Sequence, residues 1–160
     1  MILKSFLKSK WAMALILLGF VLILWREIHP NTPEHQIQRT LLKAAKAFQA
    51  ESIRQCEPFI SFSYEDEYGQ DKRLLLANAG SFFEQVEGLE VRILHTQITL
   101  SEETSFATSE VYFELSGTLE GTRFQGLLSS EEEPDIAIID WHRTSGKWQI
   151  GSMRLLREQD

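Results

Sequence analysis

Asp140 and His142 stand two residues apart in a stretch of alternating character, so on a strand they project to one face. A carboxylate beside an imidazole can fix its tautomer and set it up as a general base. The competing arrangement takes Ile136 and Ile138 as marking that face as core, with Asp140 and His142 riding the exposed strand end. That arrangement is favoured, because an Asp-x-His pair alone is unspecific and no third group identifiable in the sequence completes an active site. Tyr112 and Glu114 form a second pair, sharing a face opposite Val111, Phe113 and Leu115. With Glu110 nearby they read as a solvated outer sheet face, and Arg92 pairs most simply across the sheet with one of the glutamates. Tyr64, with Tyr112 and Glu114, completes the candidate pocket residues.

Metal and cofactor chemistry finds little footing. The histidines at 29, 35, 95 and 142 and the single cysteine, Cys56, show no zinc spacing. His95 closes an apolar strand face and reads as a boundary histidine. Glu131-Glu132-Glu133 with Asp135 lacks the alternating ligands of a calcium loop. There is no glycine-rich phosphate loop and no Gly-x-Ser-x-Gly elbow. No cofactor and no metal is expected. Trp141 and Trp148 flank a turn, where packing across a hairpin accounts for them.

The elements that must position these residues are well marked. Thr32 suits an N-cap and Pro33 the first helical position. Ile37, Leu41, Ala44, Ala45 and Phe48 then make one apolar stripe. A short helical turn ends near Pro58, and Phe59 to Tyr64 reads as extended. A long helix from about Asp71 carries Leu75, Ala79, Phe82, Phe83 and Val86, with Gly88 as its left-handed cap. That helix is the expected centre of the core. Beyond Gly88 the pattern is strand. Leu89, Val91, Ile93 and His95 alternate with polar neighbours, Glu120-Gly121 makes a tight hairpin, and Thr144-Ser145-Gly146 joins the last pair. Helices followed by successive antiparallel strands give an α+β class, with two or three helices on one face of a curved sheet.

Before this domain, Trp11 to Trp25 is an uncharged run of fifteen residues preceded by Lys4, Lys8 and Lys10. Fifteen helical residues reach roughly 22 Å, against a bilayer core of about 30 Å. Snorkelling of Lys8, Lys10 and Arg26 supplies the rest. A cleavable signal peptide is the rival, but Leu24-Trp25-Arg26-Glu27-Ile28-His29 offers no small residues for cleavage. The expected order is therefore a cytoplasmic basic segment (1–10), a transmembrane signal-anchor (11–28), a linker (29–33) and one domain (34–160). The lysine bias places the N-terminus in the cytoplasm and the domain outside the inner (cytoplasmic) membrane. From Pro30 onward twelve basic face twenty-two acidic residues, a net charge of −10 that disfavours nucleic acid and anionic lipid.

The element order, and the closing Asp140-Trp141-His142-Arg143-Thr144-Ser145-Gly146-Lys147-Trp148-Gln149-Ile150, resemble the nuclear transport factor 2-like (cystatin-like) superfamily. There a polar-Gly turn followed by a Gly-Lys-Trp-x-Ile restart is common. The resemblance spans about Thr32 to Glu158 and implies a cone-shaped sheet wrapping the long helix around a pocket. Ketosteroid isomerases of this superfamily pair a tyrosine with carboxylic acids in such a cone. No motif here places Tyr112 or Glu114 at matching positions. One anchor plus such a domain is also similar in architecture to bitopic components of type IV secretion systems. The expectation is a membrane-anchored extracytoplasmic binding or assembly domain without catalysis, engaging a protein partner or a second copy. The alternative is a small-ligand binder or an isomerase- or cyclase-like enzyme using the cone.

Overall fold

The computed structural model describes residues 32–103, 105–126 and 134–156. The anchor expected at 11–28 and the Glu131-Glu132-Glu133 loop lie outside them. Among the described residues no helix is long and apolar enough to cross a membrane. The first helix, α1 (Pro33–Gln49), begins as its sequence dictates: the Thr32 hydroxyl accepts the His35 N–H at 3.4 Å and Pro33 opens the first turn. Its stripe buries Ile37, Leu41 and Ala47 against the sheet. Helix α2 (Ile53–Cys56) and a 3-10 turn (Glu57–Phe59) follow. Helix α3 (Lys72–Phe83) starts at Asp71, whose carboxylate accepts the Leu74 N–H at 2.8 Å.

Five strands follow among the described residues: β1 (Val86–Leu100), β2 (Phe106–Leu119), β3 (Thr122–Gln125), β4 (Asp135–Thr144) and β5 (Lys147–Leu156). They pair antiparallel in the order β1-β2-β4-β5, with β3 on the far half of β2. Both hairpin turns put two residues at positive φ, Glu120-Gly121 (49° and 80°) and Ser145-Gly146 (50° and 78°). That is the geometry whose twist matches the flanking strands. The helices cover one face of the sheet, so the described residues form an α+β fold with three helices on an antiparallel sheet. The inner face contributes Val111, Ala137, Ile139, Trp141 and Ile150 to the core, where they meet Ile37 and Leu41 of α1.

Several expectations are corrected here. The segment Phe59 to Tyr64 is not a strand: Ile60 makes an isolated bridge to Ile150, and a turn follows. Gly88 does not cap α3, which ends at Phe83. It lies in β1 with φ +63°, where a bulge breaks the pairing between Glu87 and Glu90. The Glu51 carboxylate accepts the Leu89 N–H at 3.2 Å, tying this irregular backbone to the end of α1. A second bulge, between Ile93 and His95, turns His95 out of the apolar face, and its ring meets Tyr112 with centroids 5.8 Å apart. Helix α3 is not the core's centre, since none of its residues is fully buried. Phe82 and Phe83 are half-buried and pack on Phe48. The central helix is α1. Trp141 and Trp148 do not pair with each other across the hairpin. Trp141 faces Ile150, and Trp148 faces Arg143, whose guanidinium carbon lies 5.8 Å from the indole centroid.

Candidate functional site

Among the concavities of the described residues, two lie on opposite faces of the sheet. The inner one is the cone itself, about 260 Å³ between α1, α3 and the sheet. Its walls include Leu41, Phe48, Leu75, Ala79, Ile93 and Met153, and every lining residue is apolar, Cys56 included. Burial pushes the Cys56 thiol above its ordinary range, so it stays protonated and behaves as a small hydrophobe. Among the described residues no carboxylate, imidazole, hydroxyl side chain or amide side chain faces this space.

The outer cleft, about 500 Å³, crosses the strands on the other face. Its floor is a line of register partners: Thr99 of β1 faces Thr108 of β2, Thr108 faces Asp140 of β4, and Asp140 faces Ser152 of β5. The Asp140 carboxylate accepts Thr108 Oγ1–H at 2.8 Å on one oxygen and Ser152 Oγ–H at 2.7 Å on the other. His142 is seated elsewhere. A bulge between Asp140 and Trp141 shifts β5 so that Trp141 faces Ile150 and Asp140 faces Ser152, leaving Gly151 under the imidazole. Phe106, register partner of His142, meets the ring edge-on with centroids 5.1 Å apart. Ser63 and Glu65 close the far side, Glu65 held by its N–H donating to the Gly151 carbonyl at 3.1 Å.

The candidate residues are thus divided. Asp140 and His142 share the outer cleft as neighbours, each held by different partners. Their face is not the helix-packed core, as Ile136 and Ile138 had suggested. The alternate residues Ala137, Ile139 and Trp141 fill that core. Tyr64 lies buried in the core cluster, outside both concavities. Burial, with the Asp66 carboxylate adding to it, pushes the Tyr64 phenol up to about 12. Tyr112 and Glu114 sit further along the outer face, away from the cleft. The Tyr112 hydroxyl donates to Glu110, which raises the phenol's pKa, and Arg92 Nη1 donates to its register partner Glu114 at 3.0 Å. Among the described residues no group of three or more His, Cys, Asp or Glu side chains is placed to hold a metal ion.

Sequence reasoning missed Thr108, Ser152, Glu65 and Phe106. Thr108 faces Asp140 in the regular β2–β4 register, whereas Ser152 reaches it through the β5 register shift at Gly151, for which a lone glycine inside a strand is the sequence signal.

No family model and no curated protein sequence matches the chain. Solved structures do. A nuclear transport factor 2-like superfamily protein from Salmonella enterica serovar Typhimurium superposes with a TM-score of 0.67 at 9% identity, covering 82% of this chain and 95% of that one. A protein with a cystatin-like fold from Nostoc punctiforme PCC 73102 gives 0.57 at 12%, covering 76% and 88%. A hexachlorocyclohexane dehydrochlorinase gives 0.64 at 10%, covering 79% and 85%. At these identities the likeness establishes the fold: nuclear transport factor 2-like, or cystatin-like.

Proposed function

We propose that this chain is a membrane-tethered, extracytoplasmic binding domain that takes an apolar ligand into the cone between its helices and its sheet, without catalysing a reaction on it. The observation that carries this reading is the lining of that cavity, apolar throughout. An engineered apolar cavity of about 150 Å³ stays dry and binds benzene. This one is larger, at about 260 Å³. An apolar ligand gains contacts there at no desolvation cost to the walls, whereas a polar ligand would lose its hydration unrewarded. The fold accommodates catalysis, since a dehydrochlorinase shares it. Catalysis nevertheless requires an acid, base or nucleophile in reach of the ligand, and among the described residues the cone presents only the Cys56 thiol, which burial holds in its protonated, weakly nucleophilic form. The tether rests on the uncharged run from Trp11 to Trp25 and on the lysines before it.

The binding reading is tested with the full chain in nanodiscs, titrated with fluorobenzene and followed by fluorine NMR against empty discs. Line-broadening beyond that of the empty discs is expected, and Ala79→Phe, which fills the cone, should abolish it. Equal broadening in the wild type and the variant would overturn the reading. The tether is tested by the intact mass of the native protein and by protease access from the outer side. A mature N-terminus between Trp25 and Thr32 would refute the uncleaved anchor.

A further inference from the structure

We infer that the outer cleft is a second binding site, separate from the cone, and that it takes a guanidinium or ammonium group carried on a short apolar arm. Asp140 sets the chemistry of the cleft floor. Its two oxygens orient the hydroxyls of Thr108 and Ser152, each of which spends its proton on the carboxylate. What those hydroxyls then present to the cleft are oxygen lone pairs. Glu65, on the same wall, is acceptor-only when ionised. The other polar side chains of the cleft, Ser63, Thr99, Ser101 and His142, can donate or accept, so its fixed preference, set by Asp140 and Glu65, is for a ligand rich in donors.

Charge narrows the class further. Asp140 and Glu65 carry two negative charges, and among the described residues no lysine or arginine lines the cleft. Among the described residues the ion pairs are Lys72 with Glu57 and Arg92 with Glu114, so neither cleft carboxylate is paired with a cation. Arg143, the basic residue next to His142 in β4, has its guanidinium over Trp148. An anion would meet two carboxylates here. A neutral polyol could satisfy the lone pairs but would leave the charge uncompensated, and a domain of net charge −10 steers cations toward it.

The aromatic wall completes the fit. Phe106 is 44% exposed, with its ring standing at 81° to His142. An exposed aromatic face beside two carboxylates suits a flat guanidinium or the methylenes of an alkyl ammonium. The seat is also rigid, because Gly151 lets the imidazole lie against the backbone and thereby fixes the wall on which Phe106 rests.

The test is calorimetric titration of the full chain, in nanodiscs of zwitterionic lipid, with Nα-acetyl-arginine amide and its neutral isostere Nα-acetyl-citrulline amide. Arginine amide should bind at least tenfold more tightly than citrulline amide. Glu65→Gln, at an exposed position, and Ser152→Ala, at a half-buried one, should each weaken arginine binding severalfold, with Glu65→Gln melting near the wild-type temperature. Glu84→Gln with Glu87→Gln, which removes two charges outside the cleft, should leave it unchanged. Equal affinity for the two amides would assign the cleft to neutral donors and overturn the proposal. So would an equal loss in the Glu84→Gln, Glu87→Gln variant, which would mark the attraction as diffuse.

Discussion

The imidazole of His142 rests on the α-carbon of Gly151, so closely that a side-chain carbon added there would lie 2.6 Å from the ring. Gly151 is required here by packing rather than by backbone angle: only a residue without Cβ leaves the ring its seat. Gly151→Ala should therefore expel the imidazole and cost about 1–3 kcal/mol, the range for overpacking a filled site. His142→Ala alone, which removes a half-buried ring held by packing, should cost about 1 kcal/mol. The double variant should recover most of the Gly151→Ala loss, because the clashing partner is gone. Urea denaturation of the four proteins checks this, and additive losses would show that the strain lies elsewhere.

Ser109 and Trp141 are both fully buried, and the indole N–H donates to Ser109 Oγ at 2.8 Å. Ser109→Ala removes the acceptor and leaves a buried donor unsatisfied, which costs about 1–3 kcal/mol. Trp141→Ala, which empties a fully enclosed aromatic site, should cost about 3–5 kcal/mol. Chemical denaturation measures both, and a wild-type midpoint for Ser109→Ala would show that the indole finds another acceptor.

Much of the fold was legible because local rules and tertiary packing agree. Thr32-Pro33 and Asp71 set the helix starts, and Glu120-Gly121 and Ser145-Gly146 the hairpins, through short-range backbone chemistry. What was not legible depends on register. The bulge at Leu94 flips His95 to the other face, and the bulge at Gly151 brings Ser152 opposite Asp140. A period-two reading carries no account of where an extra residue is inserted. Helix α3 was misjudged for a different reason. Its apolar stripe is real, but Leu75 and Ala79 face a cavity instead of interlocking side chains. Periodicity records which face is apolar and says nothing of what fills the space opposite.

Arg92 and Glu114 do face each other across β1 and β2, at 3.0 Å, yet both remain partly in water. Exposed ion pairs typically contribute between 0.2 and about 1 kcal/mol and weaken with salt. Glu114→Gln should shift stability by no more than that, and by less still at high ionic strength. A larger, salt-independent loss would mean that Glu114 does more than pair with Arg92.

Tyr64 gives the domain an alkaline limit. Its phenol is raised to about 12 by burial first and by Asp66 second, while the unfolded chain ionises near 10. Below pH 10 both states hold the proton and the contribution is complete. Between pH 10 and 12 the unfolded state releases its proton first, so stability falls as pH rises. Tyr64→Phe should remove this part of the pH slope, together with the tyrosinate absorbance step that appears only above the others. A native titration in which all three tyrosines ionise together near pH 10 would refute the buried placement.

Ala79 decides whether the cone is a void or a filled core. It lies on α3 and faces the apolar cavity, and that helix has no fully buried residue to lock it in place. If the cavity is open in the free protein, Ala79→Leu adds three carbons to unoccupied space and should raise stability by about 0.5–2 kcal/mol, as cavity-filling changes do. The same change should weaken fluorobenzene binding, since side chain and ligand then compete for one volume. Leu75→Ala, on the same helix, should do the reverse: it enlarges the cavity and costs stability, yet leaves binding intact or improved. The two effects must move in opposite directions for one site to account for both. Loss of stability in Ala79→Leu by 1 kcal/mol or more would show the wall already packed at that point, and the apolar ligand would then have no room in the cone.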